Sequence, residues 1–384
     1  LGAAVALSEC YPYGVFTVDG RPGPPRIGVR VDDAVCDVAA GLRDVEYAEL
    51  VAAPTLNPLL AAGPTVWAEV GEQVRDLVRR GDALLPQSAV TMQLPFEVAD
   101  YVDFYASEHH ARNLGRILRP GQEPLQPNWR HQPVGYHGRA GTVVVSGTPV
   151  VRPHGHVATA DGGVALRPTA RLDVEVEVGF VVGVGSQPGE PVAVSQFADH
   201  VFGVVLVNDW SARDVQAWET VPLGPFLGKS FQTSISPWVV PLAALNTARL
   251  EVPSMAAATP GAAPRLSPYL VETEPWGLDL DLELRVNGEV VSRPPYRTMH
   301  WSPAQLLAHL TVNGASLRTG DLYASGTVSG PGDDDVGSLI ERWGNQRFLA
   351  DGDEVVISAT APALDGTRID LGEVRGRVLP ARPA

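Results

Sequence analysis

Cysteine is nearly absent: Cys10 and Cys36 are the only two in 384 residues. A disulfide scaffold is excluded, and so few thiols point to a reducing compartment, here taken as the cytoplasm. Both lie near the N-terminus, so one bridge between them is the only pairing open. Positive charge is also scarce. Lys and Arg total 29 against 44 Asp and Glu, a net charge of −15, and without a basic excess to meet phosphates nucleic acid is not expected as a partner. No apolar run approaches the roughly 18 residues of a membrane span. The N-terminus lacks a basic segment ahead of an apolar one, so neither a membrane nor a signal peptide is expected. There is no internal repeat and no low-complexity tract, although Ala256–Pro264 is a loop rich in Ala and Pro.

Glycine and proline are abundant, 39 and 34 residues. That turn-dense composition favours many strands over long helices. The length favours two domains: a small β-rich one over residues 1–95 and a larger one over 96–384. In the first, "YGVFTVDG" and "RIGVRVDDAVCDVAAG" read as short strands with tight turns. Val66, Val70, Val74 and Leu77 follow at helical spacing. In the second, strands dominate. Helices are expected only near Tyr105–Leu118, after Ser211, and near Pro303–Val312. The expected class is mainly β with few helices (α+β).

"RLDVEVEVGFVVG" alternates Asp173, Glu175 and Glu177 with valines, so three carboxylates share one strand face. At about 6–7 Å and an effective dielectric of about 20, adjacent acids repel by roughly 2–3 kcal/mol. Either water screens them or a cation sits among them. "LDLDLELRVNGEVV" shows the same alternation with Asp279, Asp281 and Glu283, then a hairpin signal at Asn287-Gly288. On pattern alone both strands read as solvated faces.

Other motifs narrow the chemistry. In "VVLVNDWSARDVQAWE" a buried strand ends at Asp209, and Ser211 with Asp214 reads as a capping box for a helix on which Arg213 and Gln216 share a face. "GPFLGKSF" fails as a nucleotide loop, because Gly224 and Gly228 enclose three residues where a P-loop needs four. Lys229 is left as surface charge or as a fixed cation near an anionic substrate. "DFYASEHHARN" sets Asp103, Tyr105, His109 and His110 around a helix start, and a histidine near a carboxylate is the usual general base. His154 and His156 lack the further ligands zinc needs. Neither the G-x-S-x-G elbow nor a dinucleotide fingerprint is present.

Taken together, "DFYASEHHARNLG", "PNWRHQPVGYHGRAGTVVVSGTPVVRP", "LDVEVEVGFVVG", "NDWSARDVQAWETVPLGPFLGKSF", "VNGASLRTGDLYASGTVSGP" and "FLADGDEVVISA" resemble the fumarylacetoacetase family, in order and over nearly the whole chain. The resemblance implies a small SH3-like N-terminal barrel, a larger mixed β-roll catalytic domain, and a homodimer. It implies hydrolysis of a carbon–carbon bond in a small β-diketo acid, or, as the alternative, action of a related hydrolase or decarboxylase on another β-diketone or oxo-acid. It implies Ca²⁺ or Mg²⁺ held by Asp103, Glu175, Glu177 and Asp209, with a second cation near Asp209 involving Lys229 and Thr233. His110 matches the general base and Glu341 the acid that orients it. Arg213, Gln216 and Lys229 match the groups that stabilise developing negative charge, and Tyr105, Arg119, Tyr136, Gln216 and Thr327 the substrate contacts. Two positions depart from the pattern: Thr220 replaces a substrate-contacting tyrosine, and Gln232 replaces a glycine beside the second cation.

Overall fold

A computed structural model describes residues 11–43, 45–256 and 265–383. Cys10 and nearly all of the Ala/Pro-rich loop lie outside the described residues. The architecture is mixed. Most strands belong to one 13-stranded sheet and a second sheet of five. Helices are more numerous than expected, because short ones at Ala48–Val51, Asn57–Ala61 and Leu339–Arg342 join the longer four. Those short helices bury only one to two apolar side chains each, too few for periodicity to reveal.

The N-terminal helix forms at Pro64–Arg80, with Gly63 and Gly81 flanking it at positive φ and Val70, Val74 and Leu77 buried. Val66 packs only at the core's edge. Its neighbouring strands are not separate from the rest. Tyr13–Val18 pairs antiparallel with Trp238–Pro241, which carries the first strands into the large sheet. The order then runs through Val201–Asp209, Val176–Val182, Leu322–Ala324 and Tyr101–Phe104. These four strands position the site. Among the described residues, no helix is long and apolar enough to cross a membrane.

The two acidic strands part company here. Val176–Val182 is buried along its whole length, flanked by Val201–Asp209 on one side and Leu322–Ala324 on the other. Its solvated-face reading is therefore wrong. Val176, Val178, Phe180 and Val182 enter the main core, while Val181, from the acidic face, enters a second core cluster. The Asp281–Val286 strand keeps the solvated reading. Its acids face arginines at the surface: Asp281 with Arg297 at 2.9 Å and Arg368 at 2.5 Å, Glu283 with Arg285 at 2.6 Å and Arg293 at 2.9 Å. The expected hairpin follows, with Asn287 and Gly288 both at positive φ and Val286 paired with Glu289.

The helix at Glu108–Leu118 starts at Ser107, whose hydroxyl accepts from His110 N and donates to Ser329 O. That cap ties the helix carrying His110 to the loop after Leu322–Ala324. The helix at Arg213–Glu219 begins differently from expectation. Ser211 lies in a short strand paired with Asp173, and no side chain caps the helix. Asp214 instead accepts from Thr169 Oγ1 and from Ala170 N, fastening the helix to the chain just ahead of the acidic strand.

Candidate active site and metal centre

Asp103, Glu175, Glu177 and Asp209 each offer a carboxylate oxygen, and the four lie within 4.8 Å of one another, all buried. They come from three strands of one sheet, with Leu322–Ala324 between the Asp103 strand and the acidic strand. Asp103 is near the end of Tyr101–Phe104, Asp209 ends Val201–Asp209, Glu177 lies in Val176–Val182, and Glu175 immediately precedes that strand, bridged to Ser338. Both oxygens of Glu177 and Oδ1 of Asp103 have no hydrogen-bond partner in the protein. Burying such atoms unpaired is costly. Burial, then the charges of Asp103, Asp209 and Glu175, hold the Glu177 carboxyl well above the usual range; burial, then Asp209, does the same to Asp103.

Two cations answer part of this charge. Lys229 Nζ reaches Asp209 Oδ2 at 2.6 Å and also bonds Glu175 Oε2. Arg213 places Nη1 2.8 Å from Glu175 Oε1 and Nε 2.7 Å from Asp173 Oδ2. Burial raises the Glu175 carboxyl, but Lys229 and Arg213 outweigh it and pull it down to about 2. Lys229 itself is raised, burial being overcome by Asp209 and Glu175. Asp173, third of the alternating acids, stands outside the cluster. It accepts from Arg213 and from the backbone of Leu339 and Ile340.

The oxygen-only donor set, its excess negative charge and its orphaned oxygens fit a hard divalent cation. Thr233 faces the same place, donating to Asp209 Oδ1 at 3.2 Å. Gln232, just before the Thr233–Ile235 strand, turns the other way and donates to Ser234 Oγ at 3.4 Å, so its side chain leaves the carboxylates uncrowded. His154 and His156 enter no metal-binding group among the described residues.

Beside the cluster stands His110. Its Nδ1 lies 2.7 Å from Glu341 Oε2, and its Nε2 faces Glu175 Oε1 at 4.0 Å. Glu341 is held by Asn113 Nδ2 at 3.0 Å, Ser329 Oγ at 3.1 Å and Ser338 Oγ at 2.6 Å. Burial raises its carboxyl, yet His110 and these donors win and leave it below the usual value. The Tyr105 ring meets His110 edge-on at 5.4 Å. Tyr105 and Arg119 line a cavity of about 330 Å³, with Arg119 Nε buried and unpartnered. Tyr136, donating to Asp209 at 2.8 Å, lines a second cavity of about 130 Å³ with Lys229 and Phe226. Gln216 Oε1 accepts from Arg213. Thr327 is buried beside Val328, whose amide bonds Val176 O between the two glutamates. Thr220 is exposed, its hydroxyl used on Gln216 O.

Sequence reasoning missed the residues that hold these groups. Asn113 and Ser338 both serve Glu341. Ser338 was within reach, three positions ahead of it, whereas Asn113 lies one helix turn from His110 and 228 positions from the carboxylate it holds. Lys229, already singled out in the sequence, carries a further signal. It is the only lysine in the sequence, every other member of the 29 being arginine.

A buried oxygen cage facing a carboxylate-oriented histidine defines a site for hydrolytic chemistry on an anion-forming substrate. Two family models match: "Fumarylacetoacetase N-terminal" over residues 10–95 and "Fumarylacetoacetate (FAA) hydrolase C-terminal" over residues 100–379. The chain belongs to the fumarylacetoacetase family. It is 42% identical to the fumarylacetoacetase of Homo sapiens, with 96% of this chain and 95% of that protein covered. The Oryza sativa subsp. japonica fumarylacetoacetase is 39% identical, with 97% and 94% covered. Among solved structures, a fumarylacetoacetate hydrolase from psychrophilic Exiguobacterium antarcticum shares the fold, with a TM-score of 0.57 at 19% identity, covering 97% of this chain and 100% of that one. A maleylpyruvate hydrolase from Sphingobium does so at 0.56 and 17%, covering 96% and 100%.

Proposed function

We propose that this protein hydrolyses the carbon–carbon bond of 4-fumarylacetoacetate to fumarate and acetoacetate, the last step of tyrosine and phenylalanine breakdown. The observation that carries the reading is His110, held between Glu341 on one ring nitrogen and the carboxylate cluster on the other. The similarity to curated fumarylacetoacetases over nearly the full length supports the substrate.

In this reading Asp103, Glu175, Glu177 and Asp209 hold Ca²⁺ or Mg²⁺. When bound, the cation supplies Lewis-acid stabilisation of the charge that develops on the diketone oxygens. The remaining work falls to side chains. Glu341 fixes the His110 ring through Nδ1, leaving Nε2 to take a proton from water. The hydroxide adds to the carbonyl carbon, the carbon–carbon bond breaks, and its electron pair leaves as an enolate. His110 then returns the proton to that carbon. Arg213 Nη2, buried without a partner, and Lys229 stabilise the oxyanion and enolate, with Gln216 beside them. Arg119, with its free buried Nε, receives a substrate carboxylate in the cavity it shares with Tyr105; Tyr136 and Thr327 complete the substrate contacts. Lys229 and Thr233 flank Asp209 where a second cation is placed.

The same reading takes residues 1–95 as an SH3-like barrel, residues 96–384 as the β-roll catalytic domain, the cytoplasm as the compartment, and a homodimer as the assembly. The buried free thiol of Cys36 supports a reducing compartment. Exposed Trp218, Val221, Leu223 and Phe226 on one short stretch support self-association; sedimentation velocity tests it. The test of function is the ultraviolet absorbance of fumarylacetoacetate with the purified protein, with EDTA and then with Mg²⁺ or Ca²⁺ restored. Metal-dependent loss of absorbance with fumarate appearing is expected. A folded protein inert under every metal moves the substrate to another β-diketone or oxo-acid.

A further inference from the structure

We infer that Glu219 is the positioning residue for Lys229; its part in catalysis rests on the function proposed above, its part in placing the lysine does not. Glu219 is the last residue of the helix that begins with Arg213. Its carboxylate turns onto the loop that follows. Oε1 accepts from Phe226 N at 2.8 Å and from Gly228 N at 2.7 Å, and Oε2 accepts from Leu227 N at 2.9 Å. Three successive amides converging on one anion form a nest, and the bonds are charge-assisted.

Backbone bonds from Gly224 N to Thr220 O at 2.6 Å and from Ser230 N to Phe226 O at 2.8 Å bracket the segment that these amides draw together. Within one chain Val221 is 86% and Leu223 96% exposed, so the chain's own core does not fix the loop's course. The amides that Glu219 gathers end at Gly228, one residue before Lys229. Gly228 O accepts from Ala212 N at 2.8 Å. A Cβ on Gly228 would stand 2.8 Å from Gln216 N, so the backbone there is pressed against the helix. From that anchor the Lys229 side chain runs inward to Glu175 and Asp209. One seven-residue helix thus sets both cations of the cluster: Arg213 directly, and Lys229 through Glu219.

Because Lys229 is the only lysine, an amine-acylating ester modifies it alone besides the α-amine, which serves as the internal reference. Acylation of Lys229 in the metal-free, full-length protein is followed by mass spectrometry for wild type, Glu219→Ala and Glu219→Gln. At least tenfold faster modification is expected in Glu219→Ala and an intermediate rate in Glu219→Gln, which keeps one acceptor oxygen. In turnover, kcat falls tenfold or more in Glu219→Ala with KM within about twofold, because the lysine acts on developing charge. Wild-type acylation rates in both folded variants overturn the inference, as does an unchanged kcat alongside a lowered melting temperature, which marks Glu219 as merely structural. The acylation needs neither substrate nor metal, so a failure of the proposed reaction leaves that arm readable.

Discussion

His110 offers its two ring nitrogens to two different carboxylates, Nδ1 to Glu341 at 2.7 Å and Nε2 toward Glu175 at 4.0 Å. The first contact fixes tautomer and ring orientation; the second points the remaining lone pair at the cluster. His110→Ala is expected to abolish turnover. Glu341→Gln is expected to cost about 10²–10⁴ in kcat, the range seen for general-base groups and their orienting partners. Neither residue belongs to the carboxylate cluster, so the Mg²⁺ or Ca²⁺ dissociation constant should stay within a few-fold of wild type. Steady-state kinetics beside calorimetric titration separates the two effects, and near-normal turnover in His110→Ala removes the mechanism.

Glu177 contributes a buried carboxylate whose two oxygens have no protein partner. Without metal it is a burden on the fold; with metal it is a ligand. Glu177→Gln should therefore move two quantities in opposite directions. The metal-free melting temperature rises, because one of the mutually repelling acids is gone. Affinity for the cation falls tenfold or more. Thermal melts with EDTA and with excess Mg²⁺ read both, and a variant destabilised under both conditions would show that Glu177 serves packing instead.

The raised carboxyls of Asp103 and Glu177 carry protons above the usual carboxylate range in the metal-free protein. A cation must displace them. Metal binding should thus release protons, and its dissociation constant should fall as pH rises above the usual carboxylate range. Titrating MgCl₂ in two buffers of different ionisation enthalpy measures the released protons directly; identical heats in both would refute the assignment.

How much of this was legible beforehand differs by residue, for physical reasons. Helices declared themselves locally: Pro64–Arg80 through the spacing of Val70, Val74 and Leu77, and Glu108–Leu118 within the stretch expected near Tyr105–Leu118. Alternation in "DVEVEV" told which side chains share a face, but not whether that face is wet. Burial there is decided by strands far away in sequence, and the same pattern at Asp281–Val286 ends in surface arginine pairs. His110 and Glu341 stand 231 positions apart, a pairing no local rule reaches; only the family resemblance joined them. The expected Ser211–Asp214 cap failed for the converse reason. Both side chains fit the local pattern, but pairing with Asp173 put Ser211 in a strand, and Thr169 and Ala170 took Asp214.

Asp173 joins the two halves of the site. It pairs with Arg213 Nε at 2.7 Å and accepts the amides of Leu339 and Ile340, on the short helix that carries Glu341. Asp173→Asn keeps the shape but removes the charge opposite a buried guanidinium. Breaking a buried pair from one side costs about 3–5 kcal/mol. Urea unfolding should show a loss of that order, and a loss below about 1 kcal/mol would mean that Glu175 alone satisfies Arg213.

Away from the site, Glu272 ties Ser302, which starts the Pro303–Thr311 helix, to the preceding loop. Burial pushes its carboxyl from 4.5 up to about 7, against the Ser302 hydrogen bond and the charge of Arg249. Its other oxygen is buried without a partner. The folded protein therefore holds a proton that the unfolded chain releases between about pH 4.5 and 7. The stabilisation from this group is complete below 4.5 and is lost as pH rises through 7. Melting temperatures of wild type and Glu272→Gln between pH 5 and 8 isolate the effect. The wild type should fall relative to the variant as pH rises and level off above about 8. Parallel curves would place the Glu272 carboxyl back in the ordinary range, with water reaching its second oxygen.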